Sequence, residues 1–68
     1  MNPSHERILK YFVYEHLREE LQATSKPLCE VAQAMALHLA ESNDPAEVTA
    51  GLRKLLEAKD CFVRAKLA

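Results

Sequence analysis

A chain of 68 residues is one domain at most, and it buries too small a share of its surface to be comfortably stable alone. With 9 Lys and Arg against 10 Asp and Glu, and a formal net charge of −1, it lacks the basic excess that a duplex-DNA binder carries. It shows neither a signal peptide nor an apolar run long enough to span a bilayer, which leads us to expect a cytoplasmic, non-membrane chain with reduced thiols. The two cysteines, Cys29 and Cys61, then stay unpaired on compartment grounds, and no Cys or His pair has the spacing of zinc ligands. High aliphatic and Ala content, one Gly and few β-branched runs make the expected fold all-α. Self-association is the remaining way to stabilise so small a helical chain, so an oligomer is expected.

Asn2-Pro3-Ser4 is a helix start: Asn2 or Ser4 can cap, and Pro3 fits the first turn. A helix from about His5 carries Ile8, Leu9, Phe12 and Val13 on one side. Tyr11, Phe12 and Tyr14 place three of the four aromatic residues within four positions, which defines an N-terminal arm over 1–15. Its rings read as core anchors, or as an arm docking on a neighbouring subunit with one ring free to stack.

The second helix is expected over 16–41. Leu17, Leu21, Thr24, Leu28, Val31, Met35 and His38 fall at alternating steps of four and three, one face of a helix, and that face is expected to be the inner one. Pro27 interrupts it. A proline removes a backbone donor and clashes with the carbonyl four residues back, so it either kinks the helix or, with Ser25 as a cap, starts a new one. The stripe keeps phase across Pro27, which favours a kinked continuous helix. Glu41-Ser42-Asn43-Asp44 is a short turn, so the helices on either side are expected to lie antiparallel as a hairpin. Folding about Asn43 brings Met35 near Gly51 and Leu52, Val31 near Leu55, Leu28 near Lys59, and Thr24 near Phe62.

The last helix is expected over 44–67. Asp44 caps it, Pro45 takes the first position, and Glu47 completes a capping box. Val48, Leu52, Leu55, Leu56, Phe62, Val63 and Leu67 recur at helical spacing. Two residues break the pattern. Gly51 costs about 1 kcal/mol relative to Ala inside a helix; it reads either as the place where the two arms approach near Met35 or as part of a binding surface. Lys59 shares the stripe with Leu52, Leu55 and Phe62, where an ammonium group must snorkel, pair or face an anionic ligand.

The hairpin expectation also brings Lys26 within reach of Lys59 and Asp60, with Arg64 one turn beyond and in position to pair with Asp60. Basic groups would then line one side of the distal half. No catalytic constellation stands out. Ser4 and His5 are adjacent without an acid partner, no glycine-rich phosphate loop is present, and His38 reads as a core or interface histidine. The chain reads as a binder rather than an enzyme, needing no cofactor.

Three segments taken together, ILKYFVYEHL, LQATSKPLCEVAQ and LRKLLEAKDCFVRA, resemble the small phage hairpin-domain family that includes anti-CBASS and anti-Thoeris proteins. The likeness runs from about His5 to Ala65. Those proteins act as sponges that sequester cyclic nucleotide messengers of bacterial immunity. The resemblance implies a short N-terminal helix, a kinked helical hairpin, a homohexamer, and pockets between protomers for cyclic dinucleotides. It implies Tyr14 as the ring that stacks on a base and Lys26 as the lysine that meets phosphate. It also implies a second pocket, for cyclic trinucleotides, with Lys59 and Arg64 as counterparts of its basic residues. Asp60 stands where some relatives carry a hydroxyl, and its carboxylate would repel phosphate unless Arg64 neutralises it. Sequestration without cleavage, blocking anti-phage signalling in the host cytoplasm, is the function this resemblance implies. The alternative reading is a small oligomeric helical protein-interaction module with no nucleotide ligand.

Overall fold

The computed structural model describes residues 1–68, and it is all-helical, with no strand. Helix α1 spans Pro3–Leu9 and runs into a 3-10 turn at Lys10–Phe12. Helix α2 spans Glu19–His38 and α3 spans Pro45–Leu67. Twenty-three residues at about 1.5 Å each make α3 about 34 Å long, so it sets the long axis of a molecule measuring 39 × 18 × 16 Å. No helix is long and apolar enough to cross a membrane.

Caps explain where the helices begin. The Asn2 side chain accepts the Ser4 N–H at 2.8 Å, with Pro3 already in the first turn. At α3, Asp44 accepts the Glu47 N–H through its carboxylate at 3.2 Å, with Pro45 following. The capping box is not reciprocal, however. The Asp44 N–H donates to the Ser42 hydroxyl at 3.0 Å, so the group expected to receive the Glu47 side chain is already taken.

Helix α2 starts three residues later than expected. Tyr14 C=O accepts the Leu17 N–H at 3.0 Å, which closes a turn, and the Gln22 side-chain amide donates back to the carbonyls of Leu17 at 2.7 Å and Glu15 at 3.3 Å. The backbone of 15–17 therefore has partners outside a helix, and the first helical residue is Glu19. At the other end α2 stops at His38, short of Glu41. Between these limits it runs through Pro27 without interruption.

The buried face of α2 is not the expected one. Leu21 is buried, but the line then continues through Ser25, Cys29, Ala32 and Ala36. Each of these follows directly after Thr24, Leu28, Val31 and Met35, so the inner face is turned by about 100° from the large apolar stripe. Val31 and Met35 are 46% and 42% exposed, and His38 is exposed as well. The cause is the N-terminal segment, which packs against both long helices. Phe12 is fully buried in one cluster with Cys29, Ala32, Ala36, Val48 and Leu52. Small side chains on α2 leave room for that ring, which a row of Leu, Val and Met would fill. Ile8, Leu9, Tyr14, Leu28, Leu55 and Leu56 pack around the cluster, half-buried.

The core is small in consequence: 9 of the 68 residues are buried. Large apolar side chains left at the surface include Tyr11, Val13, Leu37, Phe62 and Leu67 besides Val31 and Met35.

Candidate functional site

The five residues singled out for ligand binding are distributed over the turn before α2, the middle of α2 and the distal half of α3. Tyr14 is half-buried with its ring against the core cluster, and its backbone N–H donates to the Glu15 carboxylate at 3.3 Å. Tyr11, three residues earlier, is 65% exposed and is the freer of the two tyrosine rings. Lys26, just before Pro27 in α2, is exposed and makes no ion pair.

Lys59 pairs rather than standing free. Its side chain is only 15% exposed, and Nζ lies 3.0 Å from Asp60 Oδ1. The aliphatic stem is covered while the ammonium reaches the neighbouring carboxylate, the usual compromise for a lysine on an apolar face. The expected Asp60–Arg64 pair is therefore absent. Arg64 is exposed, and its Nη2 donates to Cys61 Sγ at 3.3 Å instead. The carboxylate thus pairs with the more covered of the two cationic side chains, where solvent screens the attraction less.

The surface has two depressions, and none of Tyr14, Lys26, Lys59, Asp60 or Arg64 lines either. One is a shallow dish over the first turn of α2, formed by Arg18, Glu19, Glu20 and Ala23, with an exposed Arg18–Glu20 pair at 3.5 Å. The other is an apolar groove of about 300 Å³ between α2 and α3, lined by Val31, Met35, Leu39, Val48, Gly51, Leu52 and Leu55, with Glu47 the sole charged member. Residues expected to face one another, Met35 with Gly51 and Leu52, and Val31 with Leu55, thus share a surface, but one open to solvent. A Cβ placed on Gly51 would meet nothing within 4 Å. The glycine does not serve close approach of the two helices.

Sequence reasoning missed His5. It is 2% exposed, and its Nε2 lies 3.2 Å from the Pro45 carbonyl and 3.0 Å from Thr49 Oγ1. The Thr49 hydroxyl itself donates to the Pro45 carbonyl at 3.0 Å. A carbonyl only accepts, so the tautomer that satisfies the group carries its hydrogen on Nε2, which donates to both oxygens. Nδ1 is buried without a partner, as is Ser25 Oγ. The arrangement latches α1 to the first turn of α3. Nothing local could reveal it, since His5 and Thr49 are 44 residues apart.

Both cysteines are free, Cys29 buried and Cys61 exposed. Burial pushes the Cys29 thiol above its ordinary value, and the carboxylates of Glu15 and Glu30 push the same way. Cys29 is a core side chain and not a nucleophile.

No protein-family model matches this chain, and neither a curated protein nor a solved structure does.

Proposed function

We propose that the chain is a non-catalytic binder of cyclic oligonucleotide messengers, assembled from several copies, with its pockets where copies meet. The observation that supports this most is the imbalance between core and surface. Nine residues are buried, while nine large apolar side chains stay exposed. A chain of this kind gains by association, and contacts between copies are where unpaired cations such as Lys26 and the rings can converge.

Within one chain, Lys26 is an ammonium without an anion and Tyr14 sits at the edge of the core. A cyclic dinucleotide offers two phosphates and two bases, which symmetric copies can meet with paired lysines and paired rings. Tyr14 and Lys26 carry the dinucleotide in this reading, and Tyr11 is a second, more exposed ring of the same N-terminal segment. Lys59, Asp60 and Arg64 make the weaker trinucleotide site, because Lys59 is already paired and Asp60 is not neutralised by Arg64. The bent hairpin and the hexamer implied by the sequence resemblance belong to the same proposal.

The test is a thermal-shift panel of cyclic di- and trinucleotides, followed by denaturation and recovery of the ligand. Stabilisation with intact ligand returned is the expected result, weakened by Tyr14→Ala and by Lys26→Ala while the assembly mass is unchanged. No stabilisation by any member of the panel refutes the proposal. The apolar groove favours a second reading, an interaction module for a polypeptide. It predicts binding of a protein partner with no response to nucleotides.

A further inference from the structure

Gly51 has no use within its own chain. It lies inside α3, no residue has a positive φ, and open space lies where its side chain would be. Glycine is among the poorest helix formers, so this position gives up helix stability with no return in the single chain. It also lies in the wall of the apolar groove, beside Leu52 and Leu55 and facing Val31 and Met35 across it. A missing side chain in such a place is what a backbone approaching from outside requires.

We propose that two copies of the chain pair through this groove about a twofold axis, their α3 helices crossing antiparallel at Gly51. Charge placement favours a second copy as the occupant. With about 100° per residue, Glu47 lies about 40° and Lys54 about 60° to the same side of Gly51. A twofold that crosses α3 antiparallel at Gly51 keeps that side in common. It sets Glu47, four residues before the crossing, within about 1.5 Å along the axis of the partner subunit's Lys54, three residues after it. Both charges are exposed and neither is paired within the chain. The contact forms twice, once on each side of the axis. Val31, Met35 and Leu39 of each copy then cover the partner's α3, which buries the large apolar stripe that the monomer leaves open.

This rests on the multimeric part of the proposed function and names the surface that part needs. The test uses the full chain and Gly51→Gln, a polar substitution that the open space accommodates in the monomer and that favours helix. Sedimentation equilibrium over a concentration series is expected to show pairing weakened by about thirtyfold or more, the scale of a central interface residue. Circular dichroism should show helix content kept or raised. Glu47→Lys and Lys54→Glu should each weaken pairing by about threefold to tenfold, and the double exchange should restore it. A wild-type chain that stays monomeric, a Gly51→Gln assembly of unchanged mass and affinity, or a double exchange no better than either single variant overturns the pairing. Wild-type protein that pairs as described but ignores every cyclic nucleotide leaves the interface standing and removes the ligand instead.

Discussion

Phe12→Ala tests the packing account most directly. Phe12 is fully buried and is the residue of the N-terminal segment set in the core between both long helices. An aromatic ring covers about 200 Å², which at about 25 cal/mol per Å² sets a ceiling near 5 kcal/mol for its removal from water. Alanine recovers part of that, while the cavity left among Cys29, Ala32, Ala36, Val48 and Leu52 adds to the loss, so about 3–5 kcal/mol is expected. That is most of the stability available to a chain of this size. Tyr11→Ala is the control. Its ring is 65% exposed one residue away, and its loss should stay within about 0.5 kcal/mol. The assay is urea unfolding followed by helix signal, at one fixed protomer concentration so that the proposed association would weigh equally on every variant. A Phe12→Ala loss below about 1 kcal/mol, or a Tyr11→Ala loss of the same size, would refute the assignment of Phe12 as the keystone.

Thr49→Val removes the hydroxyl that links His5 to the start of α3 and should cost about 1 kcal/mol in the same assay; no change would mean the latch carries nothing. Asp44→Ala leaves the Glu47 N–H without its cap and should cost about 0.5–2 kcal/mol, with recovery by Asp44→Ser. For Cys29, the folded thiol titrates above the ordinary 9.0, so its contribution is complete below that value. As the pH rises past it, the unfolded chain ionises first and stability falls until the folded thiol ionises too. The slope of stability against pH in the alkaline range should therefore be shallower in Cys29→Ala than in the wild type, and equal slopes would contradict the burial of the thiol.

Much of the fold was legible where the signal is local. Asp44 with Pro45, and Asn2 with Pro3, mark helix starts through neighbours in sequence, and the structure places both caps there. The periodicity of α2 correctly gives a helix through Pro27. It names the wrong inner face because it ranks Leu28, Val31 and Met35 above Cys29, Ala32 and Ala36. Hydrophobicity favours the former set; room for Phe12 favours the latter, and that ring comes from a segment distant in sequence. The Asp60–Arg64 pair fails for a related reason. Helical spacing permits it, but the largely covered Lys59 side chain takes the same carboxylate. Tyr14 and Lys26 line no common concavity in one chain, and the proposed contacts between copies are not encoded in intrachain spacing.

The latch between residues 5 and 49 has a consequence for how the molecule forms. Closing it means closing a loop of 44 residues, most of the polypeptide, and that entropy must be surrendered before either contact rewards it. His5 has no partner, and Phe12 only its wall of Cys29, Ala32 and Ala36 on α2, until the first turns of α3 exist. During synthesis the Phe12 ring therefore stays open on one side until the last helix emerges, and an internal stop before Pro45 would leave α1 and α2 with the α2 half of that seat and without the His5 latch.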